Sequence, residues 1–448
     1  MNTSTNISKR IDALPMTPSM RKILLLVGIG WLFDAMDQGM VSGVIASIGV
    51  DWALSPAQLG LLGSAGMVGM ILGAALSGIA ADRWGRRTVI LATLVLFGTG
   101  SALCGLAGSY EMLLVCRFIT GFGLGGELPA ASTLVSELSP LAKRGRNVII
   151  LESFWAWGWI IAALVAYLAI PLYGWRVAFL IGAVPALFAA VLRFAVPESP
   201  RYLELCGRHA EADRLVATFE AQAGIIRDKA DDASPDAPTK SPGLIKSFGL
   251  LWSRRHIRST FVLWVLWFAM NLGYYGFVLW TPSLLMMRGF DMVRSFEFTL
   301  IMCVAQIPGY FVAALLVEKI GRKPVLTIFL AGTALAAWFF GQSASVEQTL
   351  AFGCLLYFFA LGAWGCVYSY SPELYSTDIR GVGTGWAAAF GRVGALIAPM
   401  IVPALYAGFG EEAGFTAVFI ILMLVFFAAA LVVAIFGKET KGIALQDE

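Results

Sequence analysis

Twelve mostly apolar stretches, each at least 18 residues long, follow one another along the 448-residue chain. A helix of this length crosses the ~30 Å hydrocarbon core of a bilayer, because each residue adds about 1.5 Å. Strands of a membrane barrel are about ten residues long and alternate in polarity, so these continuous runs exclude that class. The predicted spans are 23–50, 56–81, 88–107, 112–135, 148–173, 175–196, 261–285, 298–317, 324–341, 349–370, 383–406 and 414–436.

The composition excludes a soluble globular protein. Hydrophobic residues make up 58% of the chain and charged residues 14%, whereas about 25% charged residues is usual in soluble domains. No polar segment is long enough to bury a core of its own, so any function must lie within the membrane bundle. We therefore predict an all-α polytopic membrane protein with twelve transmembrane helices in two groups of six.

The two groups of spans are separated by a polar stretch that contains SPDAPTKSP at 234–242. This composition is typical of a linker, and one or two surface helices are expected near 200–225. The predicted organisation is an N-terminal tail (1–21), a six-helix bundle (22–196), a linker (197–258), a second six-helix bundle (259–437) and a C-terminal tail (438–448).

The distribution of Lys and Arg predicts the orientation. With a cytoplasmic N-terminus, all but five of the 32 basic residues lie on the cytoplasmic side, as the positive-inside rule requires. Arg176, Arg288 and Arg294 would lie outside, and Arg117 and Arg392 within the membrane. The first twenty residues lack the apolar core of a cleavable signal. We therefore expect a multi-pass membrane protein with both termini in the cytoplasm.

Two groups of charged residues recur further along the chain at one constant spacing, or offset, which is the number of residues from Asp82 to Glu318. The first half has Asp82, Arg83, Gly85 and Arg86, then Glu137, Arg144 and Gly145, and the second has Glu318, Lys319, Gly321 and Arg322, then Glu373, Arg380 and Gly381. Two separate signatures at one offset predict that the halves are parallel repeats. Such repeats rock around a shared midplane cavity, which points to alternating access.

The repeated charges allow two interpretations. The basic residues can serve only to hold the short turns on the cytoplasmic side. Because the acids recur as well, we favour latches that close the inner side. The candidate gating residues are Asp82, Arg83, Arg86, Glu137, Arg144, Glu318, Arg322, Glu373 and Arg380.

Residues for enzymatic or metal chemistry are sparse. The six cysteines show no CxxC and no metal-ligand spacing, and the two histidines, His209 and His256, lie in the central polar loop. No nucleophile, base and orienting group occur in a recognisable arrangement. We therefore expect no enzyme, no cofactor and no metal site.

Six charges that we place within the membrane have no charged counterpart in the other half: Asp34, Asp37, Arg117, Glu127, Glu152 and Arg392. A requirement of the scaffold would be expected in both halves. Because a charge near the bilayer centre costs a few kcal/mol, each of these residues is a functional hypothesis.

Counting residues from the ends of the spans places Asp37 and Arg117 at a similar depth. We hypothesise a switchable ion pair in which Asp37 accepts a proton when the pair separates, since a neighbouring charge alters the proton affinity of a carboxylate. A static buried pair is the alternative. Glu127 and Glu152, nearer the inner side, could be proton-relay groups or hydrogen-bonded structural acids.

Arg392 lies near the midplane by the same count, and its guanidinium suits a substrate carboxylate. A partner for Asp34, at similar depth, is the alternative role. Aromatic residues could supply a stacking surface for a flat solute, although an interfacial or packing role is the commoner explanation for any single one. The cavity candidates are Asp34, Trp155, Trp159, Asn271, Tyr274, Trp364 and Tyr368.

Several motifs resemble those of one transporter superfamily. They are GIAADRWGRR (78–87) with LVEKIGRK (316–323), ELSPLAKRGR (137–146) with ELYSTDIRG (373–381), PESPR (197–201) and KETKG (438–442). This set is similar to the signatures of the major facilitator superfamily, in its sugar-porter-like branch. In proton-linked sugar porters an Asp of helix one and an Arg of helix four couple the proton, and Asp37 and Arg117 match those positions.

A narrower resemblance concerns the substrate. GWLFDAMDQG (30–39), GLGGELPAASTLVSE (123–137), LESFWAWGW (151–159) and AAFGRVGA (388–395) resemble bacterial niacin (nicotinate) transporters. FAMNLGYYGF (268–277) stands where hexose porters carry glutamines for sugar hydroxyls. The resemblance implies a monomeric importer of nicotinate, with a proton and the lipid bilayer as its other partners and no nucleic acid. Another aromatic acid, a polyol or sugar, drug efflux, and a non-transporting sensor stay open as alternatives.

Overall fold

In a computed structural model, the described residues are 7–140, 143–225, 244–375 and 380–441. They form helices and no strand. The helices of the first half are α1 (Ile7–Ala13), α2 (Pro18–Asp51), α3 (Pro56–Trp84), α4 (Arg86–Gly105), α5 (Tyr110–Glu137), α6 (Arg144–Leu168), α7 (Ile170–Tyr173), α8 (Arg176–Ile181) and α9 (Val184–Ala195). Those that follow are α10 (Pro200–Leu205), α11 (His209–Gln222), α12 (Leu244–Leu251), α13 (Ile257–Val278), α14 (Thr281–Met287), α15 (Met292–Ile320), α16 (Arg322–Gly341), α17 (Val346–Glu373), α18 (Arg380–Phe409) and α19 (Glu411–Phe436).

The all-helical prediction is confirmed. Within the described ranges, eleven helices are long and apolar enough to cross a membrane. They correspond to every predicted span except 112–135, which coincides with α5, a 28-residue helix that carries Arg117 and Glu127. Surface helices were expected near 200–225, and α10 and α11 lie there.

The N-terminal caps of the long helices repeat between the halves. Ser55 accepts a hydrogen bond from the backbone of Gln58 and its own backbone N–H donates to the Gln58 side chain, which is a capping box at the start of α3. Asp291, the equivalent of Ser55 in the second half, caps α15 through the backbone of Arg294. Ser109 caps α5 and its equivalent Ser345 caps α17. The repeat inferred from charged motifs therefore extends, at the same offset, to the local signals that start the helices.

The chain divides into two compact units. The first contains Met1–Gln38, Val68–Ala162 and Arg176–Thr239, and the second contains Gly39–Met67, Ala163–Trp175 and Lys240–Glu448. The boundaries of the units cross α2, α3 and α6. The predicted division at 196 and 259 separates the repeats of the sequence, and it stays a prediction.

Within the second unit, the C-terminal part of α2 and the start of α3 pack against helices of the second repeat. Ser42 Oγ donates to the carbonyl of Val278 on α13 at 3.2 Å, and Ser64 Oγ donates to the carbonyl of Leu396 on α18 at 3.1 Å. Both hydrogen bonds join residues from different halves of the chain. At this end, the two repeats are in direct contact.

The short helix α1 docks on α11 within the first unit. Ile7, Ile11 and Leu14 are buried in a cluster with residues of α11 that include Phe219. Arg10 donates to both oxygens of Glu220 at 2.9 and 2.6 Å. Part of the predicted N-terminal tail is therefore a packed element.

Candidate functional site

Asp37 and Arg117 lie together in the first unit. Arg117 Nη1 is 3.0 Å from Asp37 Oδ2, and Ser101 Oγ donates to Asp37 Oδ1 at 2.9 Å. The exposed fraction is 0% for the Asp37 side chain and 5% for that of Arg117. The guanidinium also lies over the ring of Phe179, 5.7 Å from its centroid. A buried carboxylate with a cation and a hydroxyl donor is well satisfied as an anion.

Asp34 and Glu127, also in the first unit, form a contrasting pair. Both are fully buried, and their carboxyl groups are close enough to act on one another directly. Asp34 Oδ1 and both oxygens of Glu127 have no hydrogen-bond partner among the residues that the structure describes. In the described part of the chain, neither acid has a cationic partner such as Arg117 provides for Asp37.

The predicted residues of α6 differ in their surroundings. Glu152 is half-buried. The ring of Trp155 lies 5.2 Å from that of Trp31 on α2, and Trp159 is buried. Trp155 therefore belongs to the surroundings of Asp34, since Trp31 lies one helical turn before Asp34.

In the second unit, Arg392 of α18 lies beside α13 and α17. It is close enough to the hydroxyl groups of Tyr275 and Tyr368 to interact electrostatically. The preceding residue, Gly391, packs against Asn271, whose Nδ2 would lie 2.7 Å from a Cβ placed there. No described acid forms an ion pair with Arg392.

Aromatic side chains of α13 and α17 form a connected cluster near Arg392. The rings of Trp364 and Tyr368 are stacked at 5.7 Å, and Trp267 packs edge-on against both, at 5.6 and 5.4 Å. Tyr274 packs edge-on against Trp364 at 6.1 Å. Of the predicted cavity residues, the structure therefore brings Asn271, Tyr274, Trp364 and Tyr368 together with Arg392.

Two residues of this cluster were not predicted. Trp267 joins α13 to α17 by donating from its indole nitrogen to Ser371 at 2.9 Å. Gln306 of α15 is fully buried, and its side-chain oxygen is 3.5 Å from the Tyr274 hydroxyl. Trp267 lies four and seven residues before Asn271 and Tyr274, so helical spacing was a signal for it. Gln306 is a polar but uncharged residue in an apolar segment, so a search for charged residues alone does not detect it.

The first repeated motif forms an ion pair and a helix cap. Arg86 Nη2 lies 3.4 Å from Glu137 Oε1. Glu198, from PESPR, accepts hydrogen bonds from the backbone N–H groups of Arg86 and Arg87 at the start of α4. Gly85 precedes α4 with φ +94°, a conformation that favours glycine, and a Cβ there would collide with the Glu198 carboxylate.

The same cluster recurs in the second half. Arg322 Nε lies 3.2 Å from Glu373 Oε2, and Glu439, from KETKG, accepts from the backbone of Arg322 and Lys323 at the start of α16. Gly321 has φ +102°. A carboxylate at a helix N-terminus is favoured by the unpaired N–H groups and the helix dipole. Glu198 and Glu439 therefore complete clusters whose other charged members are among the predicted gating residues, although the pairing within each cluster was not predicted.

The structure shows no ion pair between Arg83 and a described residue, and it does not describe the side chains of the remaining predicted gating residues. Arg83 is exposed, and its carbonyl accepts a hydrogen bond from the Tyr202 hydroxyl at 3.0 Å. The side chains of Asp82, Arg144, Glu318 and Arg380 lie outside the described residues. Their part in a latch stays a prediction.

Comparison with known proteins places this arrangement in a family. Residues 34–447 match the family described as "Sugar (and other) transporter". The niacin transporter NiaP of Acinetobacter baylyi is 45% identical over 441 residues, which cover 98% of this chain and 99% of that protein. A Bacillus subtilis protein named as a candidate niacin/nicotinamide transporter is 42% identical, over 96% of this chain and 98% of that protein.

The fold agrees with these relationships. The xylose transporter XylE from E. coli, in a partially occluded inward-open conformation, superposes with a TM-score of 0.74 over 95% of this chain and 99% of that chain, at 21% identity. The resemblance of the motifs is thus confirmed, as is the expectation that the chain is not an enzyme. The chain is a multi-pass membrane transporter of small molecules and belongs to the sugar (and other) transporter family of the major facilitator superfamily.

Proposed function

We propose that this protein imports nicotinate across the bacterial inner membrane by alternating access, together with a proton. The names of the two similar proteins support the substrate. The observation that carries the proposal is Arg392, a cation without a described acidic partner, beside a cluster of aromatic rings. A flat heteroaromatic carboxylate offers groups complementary to both features.

In this proposal, the guanidinium of Arg392 binds the carboxylate of nicotinate with charge-assisted hydrogen bonds. The rings of Trp267, Trp364 and Tyr368 provide apolar surface for the pyridine ring. Asn271 and Tyr274 contribute polar groups at the edge of the cluster. The neutral amide of nicotinamide lacks the charge that Arg392 requires, so we expect nicotinate to be preferred.

Alternating access requires contacts that break and re-form. The hydrogen bonds from Ser42 to Val278 and from Ser64 to Leu396 would have to open when that end of the transporter opens. We infer that this end is the outer one, because the positive-inside rule places the segments rich in Lys and Arg, including both termini, in the cytoplasm. The clusters at Arg86 and Arg322 would act on the cytoplasmic side of a monomeric transporter.

Substituting Arg392 tests substrate recognition. We expect Arg392→Gln to weaken nicotinate binding by about 10- to 100-fold, because a hydrogen bond to a charged group contributes about 1.5–3 kcal/mol. Nicotinamide binding should change little, so the selectivity between the two ligands should largely disappear. The ratio of the affinities for nicotinate and nicotinamide can be measured on the purified protein, for example by calorimetry.

Arg254→Gln is the matched control, since Arg254 is exposed and should leave both affinities unchanged. Benzoate, which has the carboxylate but no ring nitrogen, should respond to Arg392→Gln as nicotinate does if it binds at all. Equal loss of nicotinate and nicotinamide binding in a folded Arg392→Gln protein would contradict the role of Arg392 as the carboxylate anchor.

A further inference from the structure

Four acids of the predicted spans lie in the first unit, and the structure separates them by their surroundings. Asp37 has a cation and a hydroxyl donor, at 3.0 and 2.9 Å. Glu152 is half-buried on α6. Asp34 and Glu127 are fully buried, lie against one another, and have three carboxyl oxygens without a described hydrogen-bond partner.

The contact between Asp34 and Glu127 is built into the helices. Glu127 Oε1 lies so close to α2 that a Cβ placed on Gly30 would be 2.7 Å from it. Gly30 lies four residues before Asp34, on the same face of α2, so the absence of a side chain there leaves space for the Glu127 carboxyl group. The carboxyl group of Glu127 on α5 therefore lies against the turn of α2 that carries Asp34.

Among the described residues, the surroundings of the pair supply no positive charge that would compensate two anions. The other acidic group that acts on Asp34 is Asp37, whose own charge is balanced by Arg117. Trp31 lies one turn before Asp34 on α2, and its indole N–H is buried without a described partner. The site therefore combines unpaired acceptors with an unpaired donor, none of which is satisfied by the described part of the protein.

Two adjacent carboxylates in a low-dielectric interior cannot both stay ionised, because their mutual repulsion adds to the loss of hydration. A proton supplies the missing donor and removes one charge. A carboxylic acid bound to a carboxylate satisfies one oxygen of each group. This chemistry requires no residue beyond the two acids.

We propose that Asp34 and Glu127 together form the proton-binding site of this transporter and share one proton in the state described here. The proposal rests on the proposed proton-coupled transport and assigns its proton to a carboxyl pair rather than to Asp37. The pair takes up the proton from one side and releases it to the other, and no bond other than O–H forms or breaks. Asp37 and Arg117 act next to it: separating them exposes the pair to the negative charge of Asp37, which changes its affinity for the proton.

Infrared spectroscopy of the purified full-length protein tests the site without any substrate. We expect an absorption band of a buried protonated carboxyl group at neutral pH in the wild type. The band should be lost in the double variant Asp34→Asn/Glu127→Gln and persist in Glu111→Gln, a control on the same helix at an exposed acid. A band that survives in a folded double variant would overturn the assignment.

Transport in proteoliposomes tests the function and uses single variants, which are the milder changes. We expect Glu127→Gln and Asp34→Asn each to lose accumulation of labelled nicotinate driven by a pH gradient, whereas exchange of labelled for unlabelled nicotinate persists. If either variant accumulates nicotinate as well as Glu111→Gln does, the proposal is overturned. It is also overturned if uptake by the wild type is driven by a sodium gradient and not by a pH gradient. A wild type with the infrared band but without nicotinate uptake would instead refute the proposed substrate and leave the proton site supported.

Discussion

Asp37 and Arg117 balance one another's charge in the interior of the first unit, and each depends on the other for stability. Asp37→Asn would leave the Arg117 guanidinium buried without its counterion. Removing one partner of a buried pair typically costs roughly 3–5 kcal/mol. We therefore expect Asp37→Asn to lower the free energy of unfolding by about this amount, measured by chemical unfolding in detergent micelles.

A double-substitution cycle provides the control for this prediction. Removing both charges, in Asp37→Asn/Arg117→Met, leaves no unpaired ion and should cost less than the sum of the two single substitutions. Additive losses would show that the two residues are not energetically coupled, and would contradict the ion pair as the reason for their burial.

At the level of residues, depth along the helices predicted the partner of Asp37 but not the contact between Asp34 and Glu127. Counting residues from the ends of the spans placed Asp37 and Arg117 at a similar depth, and the structure has their side chains 3.0 Å apart. The same count did not predict that Asp34 lies against Glu127. Depth is one coordinate only, and the rotation of each helix about its axis decides which residues meet.

Glu439 connects the segment after α19 to the start of α16, and its ionisation should contribute to stability. Burial alone would raise the pKa of the Glu439 carboxyl, but hydrogen bonds from backbone N–H groups, including those of Lys441, Arg322 and Lys323, outweigh it and hold the pKa below its usual range. A lowered pKa in the folded state stabilises the protein above the usual carboxyl pKa of about 4.3, and this contribution is lost as the pH falls through the folded value.

We therefore expect Glu439→Gln to lower the melting temperature at pH 7 and to converge with the wild type in acid. The contribution at a helix N-terminus is roughly 0.3–1 kcal/mol. Thermal unfolding in detergent at a series of pH values measures it, with the exposed Glu297→Gln as the control. A constant difference between Glu439→Gln and the wild type at all pH values would show that the carboxylate charge is not the cause.

At the level of elements, the long helices and the surface helices near 200–225 could be predicted, and the short N-terminal helix α1 could not. Hydropathy detects a span because the whole segment is apolar, but α1 is only seven residues long. Its buried residues Ile7 and Ile11, with Leu14 directly after it, follow helical spacing, but this signal is too short to stand out against the polar tail. Glu198 and Glu439 were also not predicted from the sequence to have equivalent roles in the two halves. They lie 112 and 117 residues after the Arg residues that they cap, so a search at one fixed offset does not align them.

For the whole molecule, the internal repeat accounts for most of what could be predicted. One constant offset relates the Arg86–Glu137 and Arg322–Glu373 ion pairs, and it also relates helix caps that the charge pattern did not reveal. The proposed functional residues of each unit depart from the repeat, because Asp34, Glu127 and Arg392 have no charged equivalents. A scaffold duplicated from one unit predicts the shared parts, whereas each of these proposed functional residues belongs to one half alone.

Uptake of radiolabelled nicotinate into proteoliposomes tests the central claim that this transporter imports nicotinate with a proton. An inside-alkaline pH gradient should drive accumulation that a protonophore abolishes. Unlabelled nicotinate should block the uptake, and nicotinamide and xylose should not, because neither carries the carboxylate that Arg392 would bind. Absence of nicotinate uptake by folded protein under this gradient, or uptake that nicotinamide blocks as well as nicotinate does, would contradict the account.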